Sequence, residues 1–363
     1  MTLISDASQR VEKSNTRMVI ANGLLVGSLF ALFGLAILSL AIGATGTSLT
    51  ALPGAIYYAV FGEGDTAAAR NALILLDIRL PRTLLAGFVG ASLAVAGALM
   101  QGLFRNPLAE PGLIGVSSGA ALGAITLIAF GNEFAAPWVN SFGVFAIPFA
   151  AFFGGIITTS ILALVANRGG QLMIGTLLLS GVALGAFAEA LTGFISYLSD
   201  DRELRDLTLW RLGSLSGSSW PKVWSVLPFA IVALVVVPNL RRALNGFLLG
   251  EAQAFHMGID VERTKFVIIG ISAACVGAAV AVAGVIGFVG LVVPHVVRLI
   301  TGPDHNTVIP VSALLGASLV IVADIIARVA VQPAELPIGI ITAVLGAPVL
   351  LHLVLRRGKM GVG

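Results

Sequence analysis

Residues 79–123, RLPRTLLAGFVGASLAVAGALMQGLFRNPLAEPGLIGVSSGAALG, decide the fold class of this chain. They hold two apolar runs, 83–104 and 112 onward, joined by the polar elbow RNPLAEP at 105–111. As a helix with a rise of about 1.5 Å per residue, the first run is about 33 Å long, which matches a hydrocarbon core of roughly 30 Å. The two prolines cannot continue a helix, so the chain must turn at a membrane surface, where water or a partner satisfies the freed backbone groups. The stretch therefore predicts two membrane spans joined by a stiff polar elbow.

The composition of the whole chain indicates an integral membrane protein. Hydrophobic residues make up 57% of the 363 residues and charged residues 11%, whereas a soluble domain carries about 25% charge. The mean hydropathy is +1.00. The one cysteine, Cys275, lies inside an apolar run, which excludes disulfides and thiolate metal clusters. The 21 Lys and Arg residues are scattered near the ends of apolar runs, as topology signals are, so we expect no nucleic-acid partner.

Apolar runs along the chain predict an all-α protein with about ten transmembrane helices. The predicted spans are 18–43, 83–104, 112 onward, 142–166, 173–197, 223–240, 264–286, 288–300, 307–328 and 336–355. Residues 1–17 and 358–363 are expected to be cytoplasmic tails of a transmembrane domain at 18–357, and residues 44–78 an external loop with a half-helix. This topology places most of the 21 Lys and Arg residues on the cytoplasmic side, as the positive-inside rule requires.

Short internal matches predict an inverted internal repeat. Residues 94–97, AVAG, recur at 281–284, and IGVS at 114–117 resembles IPVS at 309–312. The two copies start on the second and seventh spans, and an offset of five spans makes the halves run oppositely through the membrane. Inverted repeats are typical of transporters, with the pathway at the repeat or subunit interface. Ala and Gly recur easily in membrane helices, so chance similarity remains the alternative.

Five motifs, taken in order, resemble the FecCD-type permeases, the membrane subunits of binding-protein-dependent ABC importers for iron chelates, haem and cobalamin. They are RLPRTL at 79–84, the run AVAGALMQGLFRNPLAEPGLIGVSSGAALGA at 94–124, GEAQAFHMGIDVERT at 250–264, GVIGFVGLVVPHVVRL at 284–299, and DIIARVAVQPAELPIGIITAVLGAPVLLHLVLRR at 324–357. The resemblance covers nearly everything from about residue 75 to the end. It implies a homodimer of ten-span subunits in the bacterial inner membrane, two cytoplasmic ATPases, and a periplasmic binding protein that delivers the substrate.

The chain does not contain the motif that would bind ATP. No GxxxxGK[ST] phosphate cradle occurs, since Gly358 and Lys359 are followed by Met360. ATP and Mg must then be bound by a partner ATPase. We expect this chain to be a permease that is not an enzyme and that binds no cofactor itself.

The loop at about 241–265, between two spans on the cytoplasmic side, is the predicted contact with the ATPase. Its segment 249–265 is amphipathic, and the resemblance implies that coupling helices lie in this loop. The candidate coupling residues are Glu251, His256, Gly258, Asp260, Glu262 and Arg263. A merely solvated loop is the alternative.

Asn106 and Leu108, in the elbow, match the cytoplasmic gate of the family. The flanking prolines stiffen the elbow, so we expect it to move as a unit when the ATPases close. Asn106 can instead be only a cap for a helix terminus, and the two roles are compatible.

Three arginines are the predicted docking site for the binding protein. Arg79 and Arg82 flank a Leu-Pro pair at the outer start of span two, and Arg328 follows Asp324 by one helical turn near the outer end of span nine. The resemblance implies that arginines at these positions meet acidic residues of the binding protein, where charge steers and orients a transient encounter. The alternative is interfacial anchoring, with Arg328 neutralising Asp324 at i, i+4.

Span five and the segment 200–220 are predicted to line the substrate pathway. The resemblance implies a short helix in that segment which dips back toward the dimer axis. The candidate lining residues are Phe187, Glu189, Phe194 and Tyr197 on or near span five, and Trp210, Leu212 and Ser214 after it. A carboxylate within the membrane is costly, so we expect Glu189 to be protonated or hydrogen-bonded and packed between helices.

No metal site is predicted. His295 lies in VPHVVR without a nearby cysteine or second histidine, and a single histidine is a poor ligand set. His256, His305 and His352 also lack paired spacing. The lining should therefore let a large chelate slide past without gripping its metal.

The elbow also carries the prediction of the substrate. Its AEPG sequence at 109–112 resembles haem and cobalamin permeases, where many siderophore permeases have ASPD, and the continuation looks most like haem permeases. We therefore expect haem, with a ferric siderophore or cobalamin as alternatives.

An ion-coupled secondary carrier with Glu189 and Asp324 as proton sites is a rival class. A membrane-embedded hydrolase has no Ser-His-Asp spacing or metal pair to support it.

Overall fold

The computed structural model describes residues 2–43, 48–131, 135–331 and 333–360, and within these ranges the chain is almost entirely helical. The α-helices in chain order are α1 Thr2–Ala41, α2 Leu52–Phe61, α3 Thr66–Ala72, α4 Leu80–Leu103, α5 Val116–Phe130, α6 Ala136–Phe142, α7 Ala146–Ala166, α8 Ile174–Leu198, α9 Asp201–Arg211, α10 Trp220–Leu249, α11 Glu251–His256, α12 Val261–Ala283, α13 Val289–Thr301, α14 His305–Val329 and α15 Ile338–Met360. A two-stranded antiparallel hairpin, β1 Asn167–Arg168 and β2 Gln171–Leu172, joins α7 to α8. A π-helical segment, Leu73–Arg79, makes α3 and α4 one continuous helix.

The prediction of about ten spans is confirmed. Seven continuous helices, those containing α1, α4, α7, α8, α10, α12 and α14, are long and apolar enough to cross a membrane, and the shorter apolar helices α5, α13 and α15 complete the ten. The half-helix expected in 44–78 is α2, while residues 44–47 of that loop lie outside the described residues. A 3-10 turn at Pro111–Ile114 precedes α5, and the non-helical loop 284–288 precedes α13. Such irregular backbone is tolerated at membrane depth only where protein buries it.

The ends of these helices alternate between two sides of the bundle, as ten spans require. The end of α4, the β1–β2 hairpin, α11 and the start of α12 surround one cleft, and we name this side the α11 end. On the opposite side, which we name the α9 end, the Ser214 amide donates to Ala283 O at 2.8 Å and the Gly339 amide to Leu212 O at 3.0 Å. These two bonds join the chain after α9 to the end of α12 and the start of α15.

α4 forms the centre of the bundle because its small residues let other helices approach its backbone. It packs against α10, α12, α13 and α14, and every residue of 92–103 is buried. Gly97 lies against the Gly290 carbonyl of α13, and Gly90 against the Gly316 carbonyl of α14, so a Cβ at either position would overlap neighbouring backbone. Lipid supplies no hydrophobic drive for helix association, so close van der Waals packing of this kind holds the helices together.

Two segments differ from their predicted boundaries. α1 begins at Thr2, so the predicted tail 1–17 continues the first span as a helix, with Met1 outside the described residues. α10 runs to Leu249, so the coupling loop predicted at about 241–265 narrows to 250–260. Two arginines at 241–242 do not end the helix, because arginine has a high helix propensity and its long side chain reaches the interface from within a helix. Of the second tail, 358–360 close α15 and 361–363 lie outside the described residues.

The short internal matches do not occupy equivalent places in the structure. Residues 94–97 lie in the middle of α4, whereas 281–284 end α12, where Gly284 has left the helix with φ of +70°. The first copies lie on consecutive spans, but the whole of α13 separates the second copies. These matches therefore reflect recurrent small residues, and the inverted repeat, whose offset of five spans was taken from them, stays a prediction.

Candidate functional site

A cluster of arginines and carboxylates closes the α9 end of the bundle. Arg82, in the first turn of α4, lies 2.9 Å from Asp324 of α14 and forms a two-pronged pair with Glu335, with N–O distances of 2.8 and 3.0 Å. Asp324 is fully buried and also lies 3.1 Å from Arg328. A buried carboxylate is costly unless it is paired, and the two arginines supply that pairing for Asp324. The cluster ties α4, α14 and the segment before α15 together.

Arg79 and Arg328 hold the end of α1. Arg79 donates to Leu40 O at 2.6 Å, and Arg328 donates to Ile42 O at 2.9 Å and to Ser39 Oγ at 2.8 Å. The last carbonyls of a helix have no partner within the helix and carry the negative end of its dipole. Two guanidinium groups therefore stabilise this terminus and attach α1 to α4 and α14.

This geometry bears on the predicted docking role of Arg79, Arg82 and Arg328. The structure brings all three to the same end of the bundle, but Arg79 and Arg328 are only 4% and 7% exposed. Both serve contacts within the chain, and the i, i+4 pair of Arg328 with Asp324 is the one that the anchoring alternative requires. The geometry thus supports anchoring for these two residues in this conformation. Docking of a binding protein stays a prediction.

Glu335 is the more accessible acid of the cluster. Hydrogen bonds from Arg82 lower the pKa of Glu335 below its ordinary value, although partial burial opposes the shift. Glu335 is therefore ionised at neutral pH, and it occupies the outer face of the Arg82 guanidinium.

Hydrogen bonds hold the elbow after α4 in one shape. The Asn106 side-chain oxygen accepts from the Leu108 amide at 3.0 Å, and the Asn106 amide donates to Gln101 O at 3.2 Å. His295 of α13 places Nδ1 3.3 Å from Pro107 O. Asn106 thus caps the turn, as its alternative role required, and Leu108 remains 38% exposed at the tip. The gating role of both residues stays a prediction.

Glu110, near the end of this elbow, was not predicted as a site residue. Burial raises the pKa of Glu110, against the opposing effect of a hydrogen bond from the Phe288 backbone. Phe288 adopts a left-handed conformation with φ of +67°, which is uncommon for an aromatic residue. The contact joins the elbow to the loop between α12 and α13. Its place in the AEPG sequence, on which the substrate prediction depends, was a signal that could have pointed to it.

One face of α8 carries aromatic side chains that no other part of the described chain covers. Phe187, Phe194 and Tyr197 are 61%, 60% and 86% exposed. Glu189, on the same helix, pairs with Arg211 at the end of α9 at 2.8 Å, and both side chains are about half exposed. The expectation that Glu189 is packed between helices is wrong for the single chain, because this face of α8 is open. The expected hydrogen bond is present, and its donor, Arg211, was missed although it adjoins Trp210.

α9 positions the remaining three predicted lining residues. The helix starts with a capping box between Asp200 and Glu203, and the chain turns after it at Gly213, where φ is +71°. Trp210 and Ser214 line a pocket of about 530 Å³ at the α9 end. Leu212 is half-buried beside them, with its carbonyl bonded to α15. The seven predicted lining residues thus form two groups, four on or near the open face of α8 and three between α9, α12 and α15.

A cleft of about 1040 Å³ lies at the α11 end. Lys265 on its wall is 4% exposed and lies 2.7 Å from Glu251 of α11 and 3.0 Å from Glu262 of α12. Glu262 in turn accepts from the Leu172 amide of β2 at 2.7 Å. Lys265 was not predicted as a site residue, although its i, i+3 spacing from Glu262 was a usable signal. It joins α11, α12 and the β1–β2 hairpin.

The predicted coupling residues surround this cleft and the tip of α11. Asp260 caps α12 by accepting from the Arg263 amide at 3.0 Å, and Gly258 reverses the chain with φ of +78°. Phe255, beside the exposed His256, is 68% exposed. An exposed aromatic side chain rimmed by polar residues is typical of an interaction site.

A network of hydrogen-bonded polar side chains at the α11 end was also not predicted. Buried His305 places its amide nitrogen and Nδ1 2.9 and 2.8 Å from Asn245 Oδ1, and Arg298 lies 3.3 Å from His305 Nε2. Because the amide oxygen only accepts, we assign the imidazole proton to Nδ1. Asp304 bonds to Asn245 and Asn306, and although burial works against it, these hydrogen bonds lower the pKa of Asp304. In the described ranges no cluster of three or more His, Cys, Asp or Glu could hold a metal ion.

Comparisons with known proteins point to one family. The model of the FecCD transport family matches residues 8–356. The chain is 43% identical over 297 residues to the cobalamin import system permease protein BtuC of Halobacterium salinarum, covering 82% of this chain and 76% of that protein. It is 43% identical over 294 residues to the hemin transport system permease protein HmuU of Yersinia pestis, covering 80% and 85%. A solved metal-chelate type ABC transporter in an inward-facing conformation has a TM-score of 0.79 at 30% identity, covering 92% of this chain and 99% of that one.

Proposed function

Since the chain belongs to the FecCD transport family and is the permease subunit of an ABC importer for metal chelates, we propose that its cargo is haem. It is a multi-pass protein of the cytoplasmic membrane and not an enzyme, because a separate ATPase subunit hydrolyses the ATP. ATP and Mg belong to that subunit in the proposal. A binding protein delivers the haem from outside.

The observation that carries the haem proposal is the open face of α8. Three exposed rings, Phe187, Phe194 and Tyr197, suit a flat apolar macrocycle, which aromatic side chains contact by offset stacking. Haem also carries two carboxylates. Arg211 beside this face is 45% exposed, and in the described part of the chain its one ion pair is with Glu189. A guanidinium in that position can exchange Glu189 for a haem carboxylate with similar geometry. Cobalamin carries mostly amides around its ring and has its phosphodiester on the nucleotide loop, so it presents no carboxylate at the ring edge to Arg211.

The same face supports a homodimer. Glu189 and Arg211 lie beside these rings, and charges that face lipid are costly, so we expect a second copy of the chain to cover this face. In the proposal, two copies turn their α8 faces toward a common axis and enclose the pathway between them, with Trp210, Leu212 and Ser214 at its outer end. Asn106 and Leu108 form its cytoplasmic gate. Their elbow bonds to α13 through His295, so the elbow and α13 would move together when the gate opens.

The α11 end is the cytoplasmic side in this proposal, and it receives the ATPase. The exposed tip at Phe255 and His256 enters a groove of the ATPase, while Glu251, Glu262 and Lys265 hold that tip to the bundle. The binding protein docks at the α9 end, where Glu335 is 36% exposed and its displacement by an acidic group of the binding protein would uncover the Arg82 guanidinium. Rigid contacts between α11, α12 and the β1–β2 hairpin would carry ATPase closure to the spans.

Uptake into proteoliposomes tests the proposal. The permease, its ATPase and its binding protein are reconstituted together, and uptake of haem, a ferric siderophore and cobalamin is compared. We expect haem to be taken up fastest, and Arg211→Gln to reduce haem uptake by about tenfold while leaving cobalamin uptake, if any, within about twofold. Arg205→Gln, which removes an exposed charge from the same helix, is the matched control.

Three results would contradict the proposal in different ways. Faster uptake of cobalamin would favour the second candidate, which has equal support from the 43% identity to a cobalamin permease. Faster uptake of the siderophore would reject haem in the same way. Uptake that persists with an ATPase unable to hydrolyse ATP, but collapses with the proton gradient, would indicate a secondary carrier instead.

A further inference from the structure

A membrane-facing groove of about 350 Å³ shares no residue with the surfaces of α8, α9 or α11 described above. It runs between α10 and α14, with α4 as its floor. Its lining is apolar and includes Phe88 and Val95 of α4, Ile231 and Val237 of α10, and Ile309 of α14. Val237 of α10, deep in the groove, is 3% exposed, whereas Leu234 of α10, at the rim, is 76% exposed. The groove therefore opens outward, toward the hydrocarbon.

Prolines explain why α10 and α14 leave this space. Pro238 and Pro310 both line the groove, and both lie inside their helices. A proline in a helix interior removes one hydrogen bond and clashes with the preceding turn, so it kinks the helix. A bend at each of these prolines would hold α10 and α14 apart over α4.

The groove ends at Arg241, at the depth of a lipid headgroup. Arg241 follows Trp220 by 21 residues of continuous helix, which is about 32 Å and close to the roughly 30 Å of a hydrocarbon core. Trp220 lies at the α9 end, where its indole donates to Leu76 O at 3.1 Å. Arg241 therefore lies at the interface of the α11 end. From Arg241 to Leu227 the apolar lining extends about 21 Å, enough for one acyl chain in one leaflet.

Arg241 has hydrogen-bonding capacity to spare. Its Nε atom is buried and has no acceptor in the described part of the chain. Asp304, the acid that precedes α14, accepts from Asn245 and Asn306 and makes no ion pair with Arg241. In the described part of the chain no carboxylate forms an ion pair with Arg241, and the guanidinium borders the groove, so an anion from outside the chain is expected at its accessible nitrogens.

We propose that this groove binds an anionic phospholipid, with one acyl chain on the apolar lining and the phosphate on Arg241. The phosphate neutralises the part of the guanidinium that borders the groove, and guanidinium and phosphate match in charge and geometry. Basic pockets between transmembrane helices on the cytoplasmic side are suited to anionic headgroups. The lipid holds α10 against α14 beside Pro238 and Pro310, and it takes no part in recognising the cargo.

Native mass spectrometry of the permease–ATPase complex tests the proposal. The complex is purified from nanodiscs that contain phosphatidylcholine and phosphatidylglycerol with identical acyl chains, and bound lipids are counted as each is titrated back. We expect phosphatidylglycerol to be retained over phosphatidylcholine, and Arg241→Gln to weaken its binding by about tenfold. Arg242→Gln is the matched control, since Arg242 is exposed and does not line the groove. Phosphatidylglycerol binding by Arg242→Gln should stay within about twofold of wild type. Ala230→Phe, which fills the groove, should reduce retention of both lipids.

The proposal is overturned if Arg241→Gln retains phosphatidylglycerol as well as wild type does, or if Arg242→Gln loses as much as Arg241→Gln. Equal retention of the two lipids by wild type would also reject it, because the phosphate on Arg241 would then select nothing. Should Arg241→Gln fail to assemble, a phosphatidylglycerol with a photoreactive acyl chain is crosslinked to the wild-type complex. Adducts concentrated at 88–95 and 227–241 support the site, and adducts spread evenly over the lipid-facing helices reject it.

Discussion

Replacing Lys265 with methionine should loosen the segment that we propose meets the ATPase. The Lys265 ammonium is 4% exposed and joins Glu251 at 2.7 Å to Glu262 at 3.0 Å, while Glu262 also accepts from the Leu172 amide. Methionine keeps most of the apolar stem and removes the charge, so the change isolates the ion pairs from packing. The α11 segment, 250–260, loses its main charged attachment to α12.

The magnitude follows from how exposed the partners are. Breaking a fully buried ion pair costs about 3–5 kcal/mol, and an exposed pair is worth about 0–1 kcal/mol. Here the lysine is buried but Glu251 and Glu262 are 39% and 31% exposed, so water can solvate the carboxylates left behind. We therefore expect a cost of about 2 kcal/mol, which corresponds to roughly a 30-fold increase in the population of the opened segment.

Hydrogen exchange in nanodiscs measures this opening, with and without the ATPase. Amides of Ala254, Met257 and Ile259, which bond within the segment, should lose protection by about 30-fold in Lys265→Met when the ATPase is absent. Arg168→Gln removes an exposed charge from the β1–β2 hairpin and should leave these amides unchanged. The reasoning is refuted if Lys265→Met exchanges like wild type, or if Arg168→Gln has the same effect.

Three further outcomes are expected. Arg82→Gln should cost about 3 kcal/mol in resistance to unfolding in detergent, because it removes one of two cations from the fully buried Asp324, and an unchanged unfolding midpoint would contradict this. Gly97→Ala should destabilise the protein by about 3 kcal/mol or prevent assembly, because its Cβ would overlap a backbone carbonyl of α13. Gly270→Ala meets open space and should be tolerated. Size-exclusion chromatography of both variants would reveal the difference. Because the folded-state pKa of Glu335 is lowered, the contribution of Glu335 to stability is fully present above about pH 4.3 and is lost as the pH falls through the lowered pKa. The melting temperatures of wild type and Glu335→Gln should therefore converge only in acid.

The positions of the spans could be read from the sequence because the membrane imposes a simple rule on the chain. A helix that crosses hydrocarbon must be apolar over about 20 residues, so runs such as 264–286 and 307–328 identify α12 and α14 to within a few residues. Prolines and charges at 105–111 likewise located the elbow. The helix itself continues past Arg241 and Arg242, because a charge marks where the membrane ends and not where the helix ends.

The candidate site was predictable by segment and much less by contact. The sequence placed Arg82, Glu189 and Glu251 on the right elements, since each lies at an identifiable end or depth of a span. It could not supply their partners, because an ion pair across 242 residues, such as Arg82 with Asp324, depends on which helices are neighbours. Nothing local in the sequence encodes that arrangement.

By itself, then, the sequence determined a ten-span helical membrane protein, its resemblance to the FecCD permeases, and the absence of an ATP-binding motif, because apolar length and short motifs are properties of contiguous residues. Only the tertiary structure decided that Arg79 and Arg328 are buried against the end of α1, that Lys265 joins α11 to the bundle, and that α10 and α14 leave a groove ending at Arg241. These features depend on contacts between residues far apart in the chain, and close packing around the glycines of α4 sets which of those residues can meet.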